Sequence, residues 1–329
     1  MHKPVKWGIL GLGRIAHKFA EGLKSVNNAT LFAVGSRSFE KAEKFARQYK
    51  AVNKYGSYAE LTNDPEIDII YIATPHNLHY ENTIMCLKKK KAVLCEKPFA
   101  MNSWQVKEMI DCAKENNVFL MEAMWTKFLP HINKTIEIIL SGDIGKPKIL
   151  FADFGFKPEF NPQGRLFNKK LGGGAILDIG IYPIFLSLLL FGKPEKITAI
   201  ANFGKTDVDE SCGIVFTYND GKMAVLHTTI VSDTYTEAQI FGSKGSIKLC
   251  RMWFMPTNLI FKRNLGKPKP IRVKHINNGY NYEAEEATQC LLQGKKESDT
   301  MSHSFSLELI NLLDKVRKEC GIVYPEHDK

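Results

Sequence analysis

The stretch Gly11-Leu12-Gly13-Arg14-Ile15-Ala16 constrains this chain more than any other, because of its flanks. Val5 to Leu10 is a largely apolar run of strand character, and Ile15, Phe19 and Leu23 recur at helical spacing from Ile15 to Lys24. A Gly-x-Gly-x-x-Ala turn between such a strand and helix, at the head of a βαβ unit, is a phosphate cradle. Gly11 permits the tight turn, and Gly13 leaves open the space where a Cβ would block a pyrophosphate. Ala16 lets helix and strand pack closely, and the N–H groups at Arg14 and Ile15 present the positive end of the helix dipole. The pattern predicts a bound dinucleotide.

The same alternation continues through the first third of the chain. Ala29 to Gly35 reads as a second strand, and Ser38 as the N-cap of the helix that follows. Asp68 to Ala73 and Ala92 to Cys95 read as buried strands, Val106 to Glu115 as a helix and Val118 to Met121 as a short strand. Strands alternating with helices predict an α/β fold, a doubly wound parallel Rossmann sheet over residues 1–123. After Met124 the rhythm changes. Helical patterns at Ile132 to Leu140 and Ala175 to Phe191 bracket a strand at Lys148 to Phe156, and from Lys196 onward strands dominate. Ser211 to Tyr218 and Lys222 to Ile230 meet through Asn219-Asp220-Gly221, a hairpin signal. Helical stretches around Tyr282 to Leu292 and Ser304 to Lys318 close an α+β domain, residues 124–329, on a large, mostly antiparallel open sheet.

Several function classes drop out. No run of about 18 apolar residues stands out, so no membrane span is expected. Met1 to Val5 carries no apolar signal region. Seven scattered cysteines with no Cys-x-x-Cys pair predict free thiols and a cytoplasmic home. The net charge of +10 comes from lysines spread along the chain, and the run Lys88 to Lys91 reads as a solvated helix end, so nucleic acid is not an expected partner. No metal set is expected either: His76 and His79 lack cysteine or acidic companions, and Thr74-Pro75-His76-Asn77 with His79 reads as a loop lining the cofactor.

The end of the second strand selects the cofactor. A site for NAD usually closes that strand with a carboxylate on the ribose hydroxyls. Here Gly35 is followed by Ser36-Arg37-Ser38, a guanidinium and two hydroxyls suited to a 2′-phosphate. NADP is expected, with NAD use left open.

Three further stretches fall where ligand crevices form, at carboxyl ends of strands: Ala73 to His79, Cys95-Glu96-Lys97-Pro98, and Gly172-Gly173-Gly174-Ala175-Ile176-Leu177-Asp178-Ile179-Gly180-Ile181-Tyr182. With Gly11 to Ala16, these resemble the glucose-fructose oxidoreductase/inositol dehydrogenase (Gfo/Idh/MocA) family over essentially the whole chain. The third stretch usually ends in His there. Tyr182, with Glu122 to Trp125, is similar to the branch containing dimeric dihydrodiol dehydrogenase and NADP-dependent D-xylose dehydrogenase. The resemblance implies Lys97, Asp178 and Tyr182 as the catalytic group, a cis peptide before Pro98, Glu96 and Lys97 beside the cofactor, and a homodimer through the open face of the C-terminal sheet.

Chemistry independently fits this group. Removing hydride from a secondary alcohol or hemiacetal carbon requires a base for the hydroxyl proton. Free Tyr and Lys titrate near 10, so a neighbouring cation or burial must tune them. Tyr182 is the expected proton acceptor, Lys97 its activator and substrate ligand, and Asp178, four residues before Tyr182, the orienting group; Lys97 and Tyr182 could exchange roles. Trp125, Phe156 and Arg165 are weaker candidates for the substrate wall, and simple packing is the better reading of Phe156. The leading function is an NADP-dependent dehydrogenase of a sugar or cyclic diol. The alternatives are a ketose or anhydro-sugar reductase on the same site, and a cofactor-binding regulatory protein without chemistry.

Overall fold

The computed structural model describes residues 3–328. The chain forms two compact units, and neither is one continuous stretch. The first comprises Met1–Phe128 and Ile276–Leu307, the second Leu129–His275 and Glu308–Lys329. A single division after residue 123 is what the sequence suggests; in the structure the chain crosses after Phe128 and later returns.

In the first unit, β1 (Val5–Leu10), α1 (Arg14–Leu23), β2 (Ala29–Gly35), α2 (Phe39–Tyr49), β3 (Asn53–Tyr55), α3 (Tyr58–Asn63), β4 (Ile69–Ile72), α4 (His79–Lys88), β5 (Ala92–Glu96), α5 (Ser103–Asn116) and β6 (Leu120–Ala123) alternate, β3 and α3 being short elements that the sequence reading does not name. All pairings are parallel and the strand order is β3-β2-β1-β4-β5-β6. This is the doubly wound order whose crevice opens at the carboxyl ends of β1 and β4, where the order reverses. The strands β4 and β5 are buried along their whole length, which is why they read as unbroken apolar runs.

The second unit begins with α6 (Pro130–Leu140) and β7 (Pro147–Gly155) and continues through α7 (Ile181–Phe191). β8 (Lys196–Phe203), β9 (Asp209–Thr217), β10 (Met223–Thr229), β11 (Ala238–Gly242), β12 (Gly245–Leu249), β13 (Leu259–Arg263) and β14 (Lys269–Ile271) follow. The sheet order is β14-β13-β12-β11-β7-β10-β9-β8, antiparallel except where β10 runs parallel to β7. The hairpin expected at Asn219 to Gly221 is present, with Met223 opposite Thr217. One side of the sheet is buried against α7, whose residues are nearly all inside. The helical stretch Lys169–Phe191 is in fact long and apolar enough to cross a membrane, contrary to the sequence reading, but 89% of its apolar window is buried inside the protein. Its apolarity is that of a core helix.

Two helices close the chain, α8 (Tyr280–Leu292) and α9 (His303–Cys320). The first returns to α1. A Cβ on Gly22 would stand 2.9 Å from the Asn281 amide nitrogen, so a small residue there permits the approach. Asn277 and Asn278 donate to the carbonyls of Glu21 and Lys18 at 3.0 and 2.8 Å, tying the segment before α8 to α1. Trp7 of β1 donates to Thr288 of α8 at 3.3 Å and lies against Phe19.

Candidate active site

In the first unit the glycine turn behaves as its residue types require. Gly11 has φ +89°, and a Cβ there would meet the Thr74 methyl at 2.9 Å and the Thr74 amide nitrogen at 3.1 Å. Only glycine suits that position. Gly13 is different: it sits at the N-cap of α1 with φ −85°, and a Cβ would meet nothing within 4 Å. No side chain caps the helix and no acidic residue occupies its first turn. Arg14 is exposed and Ile15 half-buried beside it. Open space in front of uncapped N–H groups is what a pyrophosphate needs. Asn77, on the loop after β4, adds a buried Oδ1 with no protein partner. These features fit a nicotinamide dinucleotide. Gly13→Ala is therefore expected to leave Tm within about 2 °C and to weaken binding of the nicotinamide dinucleotide at least about 10-fold, since the methyl fills only ligand space. Calorimetric titration beside a thermal melt checks both halves.

At the end of β2, Arg37 is exposed, and its charge favours the ionised form of the nearby Tyr58 hydroxyl against the burial that raises its pKa. Ser36 is buried, and its Oγ accepts from the Ser38 amide at 3.2 Å. Ser38 caps α2 by accepting from Lys41 at 3.3 Å and donates to Glu40 at 2.6 Å. Its hydroxyl is thus held by the helix start, leaving Arg37 as the cation of this corner.

The two loops after β4 and β5 are tied together. Thr74 is buried with its hydroxyl accepting from Asn82 at 3.1 Å; Pro75 is exposed and His76 buried. His79 does not line the crevice as expected from sequence: it is buried, with Nδ1 2.8 Å from the Pro98 carbonyl and Nε2 2.9 Å from the Thr74 carbonyl. Burial pushes its pKa down to about 4, against both carbonyls, so near neutral pH the ring is uncharged and donates to one of them. Its work is to brace Thr74 against the Lys97–Pro98 turn, where the peptide is cis. Glu96 is likewise buried, accepting from the Tyr71 hydroxyl and from the Lys97 amide at 3.2 Å. Glu122 accepts from the Phe99 amide at 3.1 Å, and burial raises it to about 7. Lys97, half-buried, therefore stands on a backbone fixed from three directions.

Trp125 is buried and stacked on Tyr280, ring centroids 4.3 Å apart, so much of its indole is engaged within the first unit.

In the second unit, Asp178 and Tyr182 lie on one continuous helical path whose first turn is unusual. Ile176–Gly180 is a π turn, the Ile181 amide reaching back to the Ile176 carbonyl, and α7 follows directly. Such turns are rare and favour functional sites. The Asp178 carboxylate is buried and gripped by Arg165 in bidentate fashion, 2.8 Å from Nη1 and 3.1 Å from Nη2. Arg165, expected on the substrate wall, thus orients Asp178. Tyr182 is buried beside the stacked pair Phe154 and Phe254, with centroids 5.5 and 5.0 Å away. Phe156 is half-buried beside Phe154, consistent with packing.

Sequence reasoning passed over one residue that shapes this turn. Asp209, fully buried at the start of β9, accepts from the Ile176 amide at 2.7 Å. Burial raises its pKa to about 7 although the backbone N–H groups of Ile176 and Ala175 oppose that. Tyr324 donates to the Gly173 carbonyl at 2.9 Å from the other side. An aspartate straight after a turn reads as a turn residue, which hid it.

Known proteins agree with this picture. The family described as "Oxidoreductase family, NAD-binding Rossmann fold" matches residues 5–124, and the "GFO/IDH/MocA C-terminal domain" matches residues 132–248. The trans-1,2-dihydrobenzene-1,2-diol dehydrogenase of Xenopus tropicalis is 38% identical over 329 residues, covering 97% of this chain and 99% of that protein. The human protein of the same name is 33% identical, covering 98% of each. Among solved structures, an aldose-aldose oxidoreductase from Caulobacter crescentus, complexed with glycerol, superposes with a TM-score of 0.88 at 22% identity over 97% of this chain and 98% of that one. A 3-ketoreductase from Actinomadura kijaniata, in complex with NADP and TDP-benzene, gives 0.87 at 23% over 97% and 98%. At those identities the structural likeness speaks for the fold, while the sequence likeness speaks for kinship. Glycine turn, parallel sheet, Glu-Lys-Pro turn and full-length kin converge: the chain belongs to the Gfo/Idh/MocA oxidoreductase family and is a dehydrogenase acting on CH–OH groups with a nicotinamide cofactor.

Proposed function

We propose that this enzyme is an NADP-dependent dehydrogenase that oxidises a secondary alcohol or hemiacetal carbon of a trans-diol or cyclic sugar. The observation that carries the substrate class is near-full-length kinship to dehydrogenases named for trans-1,2-dihydrobenzene-1,2-diol. A bound nicotinamide would supply the hydride acceptor. Gly11, Gly13, Arg14 and Ile15 would hold the pyrophosphate, Asn77 with the Thr74-Pro75-His76 loop would line the nicotinamide ribose, and Arg37 with Ser36 would hold the 2′-phosphate. Tyr182 takes the hydroxyl proton, Lys97 binds the substrate oxygen, and Asp178, oriented by Arg165, fixes the substrate hydroxyl. Incubating purified protein with NADP or NAD and a panel of trans-dihydrodiols, aldoses and inositols, and following reduced nicotinamide, tests the reading. Turnover confined to NAD, or no turnover with any polyol, overturns it.

Arg37→Ala is expected to raise KM for NADP by about 10- to 100-fold, the worth of one or two bonds to a charged group, and to leave KM for NAD within about 2-fold. Steady-state kinetics with the two cofactors measures this. The residue is exposed, so folding is not at stake.

The second unit also supports a homodimer. Ile149, Phe151, Met223 and Phe241 are 36–45% exposed on neighbouring strands β7, β10 and β11, with the Phe151 and Phe241 rings edge to face at 5.9 Å. A contiguous apolar patch on an open sheet face is a site for association. Sedimentation as a monomer at micromolar concentration would set the dimer aside.

A further inference from the structure

Two cysteines meet in the second unit, neither of them among the residues assigned a role above. Cys212 lies on the buried face of β9 with Ile214 and Phe216, and Cys320 ends α9 with its side chain half-exposed. Their sulfurs are 3.5 Å apart. A disulfide needs about 2.0 Å, so the gap is about 1.5 Å, within reach of small side-chain rotations. By contrast, Cys86, Cys95, Cys112 and Cys290 are buried in the first unit.

The two sulfurs are not equivalent. The two thiols share one hydrogen bond, which holds the Cys320 thiol below the usual range and, with burial, pushes the Cys212 thiol up. Cys320 is therefore both the more accessible and the more readily ionised partner, the features of an oxidant-sensing thiol beside a resolving one. The surroundings give the pair leverage. Three residues before Cys212, Asp209 holds the Ile176 amide; four residues after Cys320, Tyr324 holds the Gly173 carbonyl. The thiols join the two segments that frame the backbone leading into Asp178 and Tyr182.

We propose that Cys212 and Cys320 form a reversible disulfide when the protein meets a hydroperoxide, fastening the end of α9 to β9. The Cys320 thiolate attacks the peroxide, the O–O bond breaks, two electrons pass from sulfur to oxygen, and the leaving oxygen takes a proton as water or an alcohol. The Cys212 sulfur then displaces hydroxide from the Cys320 sulfenic acid, and that hydroxide leaves as water with the Cys212 proton. Overall two thiols lose two hydrogens and one peroxide is reduced. A small-molecule thiol reverses the bond. This inference does not depend on the substrate or cofactor proposed above.

The test uses the full-length, reduced protein exposed to hydrogen peroxide, then unfolded in an alkylating agent and mapped by mass spectrometry without reductant. The expected product is a cross-linked pair of peptides carrying Cys212 and Cys320, with an intact mass lower by two hydrogens, restored by dithiothreitol. The residues are 108 positions apart, so the bond closes a long loop in the unfolded chain. Tm should rise by about 5 °C or more. Cys320→Ser, a near-isosteric change at a half-exposed position, should show neither the cross-link nor the rise. Failure to form the cross-link, accumulation of a Cys320 sulfinic acid while Cys212 is still alkylated, pairing of Cys320 with another cysteine, or a rise in Tm that persists in Cys320→Ser would each overturn the proposal.

Discussion

Tyr182→Phe and Lys97→Met are each expected to lower kcat by about 10²- to 10⁴-fold, the range that a positioned proton acceptor or its activating charge supplies. Neither change should unfold the protein. The Tyr182 ring packs against the stacked pair Phe154 and Phe254, and phenylalanine keeps those contacts while losing only the hydroxyl. The Lys97 backbone is fixed through its own amide to Glu96, through the Pro98 carbonyl to His79, and through the Phe99 amide to Glu122. None of these bonds involves the lysine ammonium, so methionine leaves the turn in place. Cofactor affinity, measured by titration in the absence of substrate, should change little in Tyr182→Phe. Turnover near the wild-type level in either variant would remove both residues from the chemistry.

Gly174→Ala should cost about 3 kcal/mol or more of folding stability, the largest structural effect expected of a single methyl here. Gly174 has φ +129°, a conformation that L residues rarely adopt, and the new Cβ would lie 2.0 Å from the Asp209 carboxylate. Neither partner can give way cheaply. The carboxylate is buried and bonded to the Ile176 amide, so displacing it leaves both without their partner in a dry interior. Equilibrium urea unfolding compares the variant with Gly13→Ala, where the same methyl enters open space. A loss below about 1 kcal/mol would mean that the turn before Asp178 adjusts freely.

How far the sequence reveals this molecule depends on how local each feature is. The Rossmann strands were legible because β4 and β5 are buried on both faces and read as unbroken apolar runs, and Gly11 because its conformation admits little else. Helix starts were legible where a cap is written locally, as at Ser38. The limits appear wherever the partner is remote. Asp178 and Arg165 are 13 residues apart across an irregular loop, a spacing that carries no periodic signal. The apolar pattern of Ala175 to Phe191 looks the same for a continuous α-helix and for a π turn feeding α7. The amphipathic stretch Tyr282 to Leu292 announces a buried face without saying what covers it. His79 reads equally well as a ligand contact or a brace, and only the two carbonyls beside its ring decide.

The return of Ile276–Leu307 to the first unit has a consequence for synthesis of the chain. When the ribosome has made the first 128 residues, every strand of the nucleotide-binding sheet exists, yet the flank of α1 and the ring of Trp7 still lack α8. Well over a hundred residues of a different unit must emerge before that cover arrives. The half made first is thus the half finished late. An expression fragment of this nucleotide-binding half needs the later segment supplied with it.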